Sequence, residues 1–321
     1  MPHARALSPC VIGSLAAPLR RAAARHQHAT TARFPPPPDL AMVYQTSVAQ
    51  VAQSRRLSTG VTLEYVAQGD ASGAPVVLLH GLTDSWKSFA PVLPYLPPSL
   101  RVIVPSLRGH GGSDHPARNY TMRDMAADVM ALLDALGLPT ATVVGHSMGA
   151  RVAMRLATQY PDRIQGMLLL AAFAPALSNR ALDDFESNVA MLDNPVPVAF
   201  ARGFQEGTVA QPVPAEFITT MIGESLKVPA EVWKAALAGF LADDPTALLR
   251  NVSVPTHLIW GARDAFVPHR DQTAIRAAIR TATLETYESA GHAVHWEEPA
   301  RVARAIASIV DDAQAAVTAP Y

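Results

Sequence analysis

The 321-residue chain is 49% hydrophobic and 17% charged, enough for a large core in one enlarged domain or in a core domain with an insertion. Its single cysteine, Cys10, excludes an internal disulfide and thiolate-built metal sites, and its net charge of −1 gives no electrostatic footing for nucleic acid. No uninterrupted apolar stretch approaches the ~20 residues that a spanning helix requires, so no membrane span is expected.

Charge is unevenly placed along the chain. Residues 1–38 hold Arg5, Arg20, Arg21, Arg25 and Arg33 with no lysine and no acid, and close on the extended, donor-poor run Phe34 to Pro38. Residues 1–40 are therefore expected to lie outside the fold, as a disordered tail or an over-extended start. Their composition also suits a targeting segment, although Pro18 spoils VIGSLAAPL as a signal-peptide core, and the expected location is cytoplasmic.

From residue 55 onward β-rich runs alternate with helical periodicity. LSTGVTLEYVAQG (57–69) predicts a hairpin around Thr59-Gly60, and PVVLLHG (75–81) a strand buried on both faces. Further strands are predicted at 101–105, 141–145, 166–171, 256–261 and 282–288. A helix starting near Tyr120 puts Met122, Met125, Val129, Leu132, Leu133 and Leu136 on one face, with Thr121 and Asp124 as a capping box and Gly137 as terminator. Others are predicted from Met148 to Gln159 and from Glu298 to Val310. Doubly buried strands joined by helices imply an α/β fold with a mostly parallel, doubly wound sheet, whose functional residues gather at the carboxyl ends of strands. Residues 174–248 break the alternation: they are proline-rich, lack strand-like runs and carry Phe185, Met191, Phe200, Phe204, Phe217, Met221, Trp233 and Phe240. They predict a helical cap inserted into a core formed by 41–173 and 249–315.

GHSMG (145–149) falls where a strand ends and a helix begins, so two glycines frame Ser147 at a sharp strand-to-helix turn. A serine hydroxyl needs a base, and the base needs an orienting group. Asp264 follows the strand THLIWG, and His292 follows the next strand 28 residues later, giving the chain order serine, acid, histidine. Asp264 read simply as a turn residue, and His295 read as the base, are the alternatives. His292 and His295 with Glu297, or His110, Asp114 and His115, match no metal-binding signature, and neither a metal nor another cofactor is expected. The amides of Met148, at a helix start, and of Leu82, in the loop after PVVLLHG, are the expected oxyanion donors, with His80 bracing that loop. Candidates for the pocket wall are Trp86, His146, Phe173, Phe185, Met191, Phe204 and Val267.

HGLTDSW (80–86), RGHGGSD (108–114), GHSMG, GARDAFVP (261–268) and AGHAVHWEEP (290–299) together resemble the α/β-hydrolase superfamily of the capped kind. The resemblance covers about residues 55–313 and implies Ser147 as nucleophile, Asp264 as acid and His292 as base. Ser106 departs from it, standing where the family often has aspartate. A serine nucleophile disfavours dehalogenase and epoxide-hydrolase chemistry and favours a carboxylesterase acting on a small to medium hydrophobic ester or lactone. A C–C bond hydrolase of aromatic ring-cleavage products is the rival; its carboxylated substrate needs a cation, for which Arg151 and Arg202 are candidates. A non-catalytic ligand-binding relative is the third reading.

Overall fold

A computed structural model of the protein describes residues 50–174 and 179–318, so the tail expected over 1–40 lies outside the described residues. Eight strands among them form one sheet: β1 (Gln53–Arg56), β2 (Thr62–Gly69), β3 (Ala74–Leu79), β4 (Leu100–Pro105), β5 (Ala141–His146), β6 (Ile164–Leu170), β7 (Thr256–Gly261) and β8 (Ala282–Tyr287). Their spatial order is β1-β2-β4-β3-β5-β6-β7-β8. The first two pairings are antiparallel and the rest parallel.

The hairpin turns through Gly60 at φ 83°, but its first strand lies upstream of residue 57, with Arg56 opposite Thr62. All four residues of β1 are exposed, so no buried face marks it in the sequence.

Eight helices of two turns or more accompany the strands: α1 (Met122–Ala135), α2 (Met148–Gln159), α3 (Arg180–Ala190), α4 (Val198–Gly207), α5 (Ala215–Lys227), α6 (Ala230–Leu241), α7 (His269–Ala278) and α8 (Pro299–Thr318). The apolar runs of the central strands supply both sheet faces. Val77, Leu79, Val143 and Leu169 share a core with Met125 and Val129 of α1 and Val152 and Leu156 of α2. Their neighbours Val76, Leu78, Val144 and Leu168 pack with Phe89, Leu93 and Val302, Ile306 and Ile309 of α8 on the other face. The period-2 exchange of side chains between faces explains why these strands read as continuous hydrophobic runs. At the start of α1, Thr121 Oγ1 accepts from the Asp124 amide and Asp124 Oδ2 from the Thr121 amide, each at 3.1 Å. Beneath it the Arg108 guanidinium forks onto Asp128, with Nε to Oδ2 at 2.6 Å and Nη2 to Oδ1 at 2.7 Å.

Helices α3 to α6 all fall between β6 and β7, which pair directly with each other. Pro197, Pro214 and Pro229 immediately precede α4, α5 and α6. These three prolines thus mark helix starts, where a missing amide and a fixed φ cost least. The chain passes Phe173 three residues beyond β6 and returns past Asp243, and one side chain grips both points. Arg151, on α2, donates through Nη1 to the Asp243 carbonyl and through Nη2 to that of Phe173, the latter at 3.0 Å. Arg155, one turn on, donates to Asp243 Oδ1 at 2.7 Å. No helix of the described residues is long and apolar enough to cross a membrane.

Candidate active site

The two glycines of GHSMG answer to backbone crowding. A Cβ at Gly145 would stand 2.2 Å from the Gly149 carbonyl oxygen, and one at Gly149 would stand 2.2 Å from the Leu79 carbonyl oxygen. Only hydrogen fits at either point, so β5 passes into α2 with the two elements nearly touching. Between them Ser147 adopts φ 54° and ψ −113°, a strained conformation for a non-glycine residue, with its amide donating to the Leu170 carbonyl at 3.0 Å.

Asp264 stands in the loop after β7. Its Oδ1 accepts from the amides of Phe266 and Val267 at 2.8 and 2.9 Å, and its Oδ2 lies 2.9 Å from His292 Nδ1. The carboxylate oxygen accepts the hydrogen bond from Nδ1–H, which leaves His292 Nε2 free to accept a proton. The loop carrying His292 is fixed on both sides. Glu297 Oε1 accepts from the Gly291 amide at 2.8 Å, and the His292 carbonyl accepts from His146 Nε2 at 3.1 Å. Burial holds His146 well below the ordinary histidine range, so its ring is a neutral donor.

The other candidate ligands and bases have partners of their own. His295 is completely buried, with Nε2 2.9 Å from Ser88 Oγ and its ring against Phe89 and His146. Glu297 also accepts from the Gln211 amide at 2.8 Å, and Asp114 from the Thr62 amide at 2.7 Å. His110 is buried beside His80, their ring centroids 5.1 Å apart.

Ser147 and His292 open onto one cavity of about 40 Å³. Leu82 and Met148, whose amides are the expected oxyanion donors, border it as well. Its wall is otherwise apolar: Phe173, Phe185, Phe204, Phe240 and Phe266, with Leu182 and Leu237. Of the residues expected there, Phe173, Phe185 and Phe204 line it and four do not. Met191, just past the end of α3, is 77% exposed. Trp86 packs into the core on the opposite sheet face. Val267 is fully buried behind Asp264, and His146 lies beneath His292. Phe240, Phe266, Leu182 and Leu237 take their places. Of these, Phe266 carried a signal in the sequence, two residues beyond the acid.

The loop after β3 is organised from behind. His80 Nδ1 donates to the Gly81 carbonyl at 2.7 Å, and its Nε2 accepts from the Leu107 amide at 2.9 Å. Thr83 takes the left-handed φ of 63°. Asp84 is buried, and burial pushes its carboxyl up to about 6, partly offset by hydrogen bonds from Gln205 and Ser88. Ser106, the departure from the family pattern, donates to Glu64 Oε2 at 2.9 Å and accepts from the Trp86 amide at 3.2 Å. It serves as a structural brace.

The family described as alpha/beta hydrolase fold matches residues 74–193. A non-heme chloroperoxidase of Streptomyces lividans is 32% identical over 264 residues, covering 75% of this chain and 93% of that protein. A 2-hydroxymuconate semialdehyde hydrolase of Pseudomonas sp. (strain CF600) is 27% identical over 258 residues, 76% of this chain and 89% of the relative. Among solved structures, a thermophilic esterase from Thermogutta terrifontis superposes with a TM-score of 0.72 at 28% identity, covering 82% of this chain and 99% of that one. A doubly covered parallel sheet with its sharp β5–α2 corner, matched over three quarters of the chain by such relatives, is what membership means in structural terms: the chain belongs to the α/β-hydrolase fold family.

Proposed function

We propose that the protein is a serine hydrolase that cleaves a small to medium, uncharged hydrophobic carboxylic ester or lactone through an acyl-enzyme. Ser147 Oγ attacks the carbonyl carbon as His292 Nε2 takes its proton, and Asp264 keeps the imidazole aligned and stabilises the imidazolium. The oxyanion is met by the amides of Leu82 and Met148, the latter at the positive end of α2. His292 then returns the proton to the departing alcohol oxygen. Water, activated by the same imidazole, cleaves the acyl-enzyme to the carboxylic acid and restores Ser147. In this reading residues 174–248 are a cap that roofs the cavity, over a core of 41–173 and 249–315.

One observation carries the choice of substrate: Ser147 and His292 share a cavity whose other described lining side chains are all apolar. The rival C–C hydrolase needs a cation for its carboxylated substrate, and the two candidates are engaged elsewhere. Arg151 lies behind Phe240, 4.9 Å from the ring centroid, and is committed to the carbonyls of Asp243 and Phe173. Arg202 pairs with Glu206 at 3.1 Å, and both are about half exposed. An uncharged ester suits such a wall, whereas a carboxylate would be desolvated there without a partner. A series of p-nitrophenyl esters of rising chain length, set beside a ring-fission dienoate, tests this. Turnover of short to medium esters by the wild type and its loss in Ser147→Ala support the reading; preferential turnover of the dienoate sinks it.

A further inference from the structure

Two residues of the inserted helices reach the loop that carries Leu82. Gln205, on α4, is fully buried and directs both N–H bonds of its amide nitrogen: one to Asp84 Oδ1 at 3.0 Å, the other to Ser225 Oγ at 2.8 Å. Ser225, on α5, lies 3.0 Å from Thr83 Oγ1, and it too is fully buried. The second oxygen of Asp84 accepts from Ser88 Oγ at 2.9 Å. Further out, Lys87 pairs with Glu224 of α5 at 2.7 Å. Three residues of the loop and its following turn are thus tied to α4 and α5.

The backbone explains why such ties matter. Thr83 is β-branched and holds φ 63°, a region such residues avoid unless their surroundings impose it. The loop's own backbone contributes little, since the Asp84 amide reaches the Gly81 carbonyl only at 3.4 Å. The hydroxyl of Ser225 and the amide of Gln205 act on Thr83 and Asp84, immediately after Leu82.

We propose that Gln205 and Ser225 are positioning residues for catalysis: from the inserted helices they hold Thr83 and Asp84 in the conformation that presents the Leu82 amide to the oxyanion. The inference rests on the serine-hydrolase reading for its catalytic consequence, but the mechanical coupling stands apart from it. The inserted helices then complete the transition-state site, and any motion that lifts α4 and α5 also dismantles one oxyanion donor.

The test compares Gln205→Ala and Ser225→Ala with the wild type on a p-nitrophenyl ester, with a boronic acid as tetrahedral mimic and hydrogen exchange over residues 80–90. We expect kcat to fall about 10- to 100-fold with KM within about threefold, and boronate affinity to fall by the same factor as kcat. Exchange in 80–90 should quicken while that of β5 stays protected. Thr83→Val removes only the hydroxyl that meets Ser225, so in a double-mutant cycle with Ser225→Ala the losses in kcat should be less than additive, which independent destabilisation at two sites does not give. Folded variants with wild-type kcat, boronate affinity and loop exchange overturn the proposal, as does a loss confined to KM. If the wild type neither turns over esters nor labels with a fluorophosphonate at Ser147, the hydrolase reading has failed. The exchange result then still decides whether α4 and α5 hold the loop.

Discussion

Gly149 leaves little room for change. A methyl group there meets the Leu79 carbonyl oxygen at 2.2 Å, so Gly149→Ala must push β3 and α2 apart. It is expected to lose about 1–3 kcal/mol in urea unfolding and to lose activity as the corner opens. Ser147→Ala keeps the corner and removes only the hydroxyl: kcat/KM should fall at least ~10⁴-fold, with the thermal midpoint little changed. Asp264→Asn should cost ~10⁴-fold in kcat by offering His292 Nδ1 an amide that favours the wrong tautomer. Ser147, Asp264 and His292 stand out in the sequence because each follows a strand whose end the hydrophobic pattern marks. The pocket wall does not. Leu182 lies on α3 and Leu237 on α6, and only packing shows which face of each helix looks inward. Met191 illustrates the failure, a large apolar side chain expected in the wall and found 77% exposed.

At the scale of elements, the β3 loop and α1 carry buried charge in opposite ways. Asp128 is forked by Arg108 and also accepts from Thr59 Oγ1 at 2.6 Å. Asp128→Ala leaves the guanidinium buried without its partner and is expected to cost about 3–5 kcal/mol in urea unfolding. Asp84 has no cation on its oxygens, and burial raises its carboxyl from 3.8 to about 6, against hydrogen bonds from Gln205 and Ser88 and the influence of His292, with Glu224 adding to the rise. The unfolded chain ionises this group first. Its contribution to stability is therefore full below about pH 4 and is lost as pH rises to about 6. Asp84→Asn should gain on the wild type by up to roughly 3 kcal/mol between pH 4 and 7, read as the change in their difference across urea titrations at several pH values. The sequence foretold α1 with its cap, because periodicity and capping chemistry agree there. It was silent on β1, whose polar residues form a strand only by pairing with β2 at the sheet edge.

For the molecule as a whole, buried histidines set the response to acid. Burial pushes His110 down to about 4 and holds His80, His146 and His295 well below the usual range. Because the unfolded chain takes up these protons first, their contribution is present above about pH 6.5 and declines as pH falls toward 4. Four such groups outweigh the opposing trend of Asp84. Lowering pH from 7 to 5 should therefore reduce the unfolding free energy, measurable by urea titration. The parallel sheet was readable at this scale from its doubly apolar strands, and the inserted helices from the interruption in their alternation. The coupling of those helices to the β3 loop was not, since it joins residues more than a hundred positions apart through single hydrogen bonds.

The grip of Arg151 on the carbonyls of Phe173 and Asp243 bears on module exchange. Anyone grafting a relative's inserted helices onto this scaffold would cut the chain at those two crossing points, and both are tethered to a guanidinium that belongs to the host. A donor segment whose return thread offers no carbonyl at that spot would leave a buried cation half-served. Compatible chimeras should therefore be sought among relatives that share the arginine one turn beyond the serine.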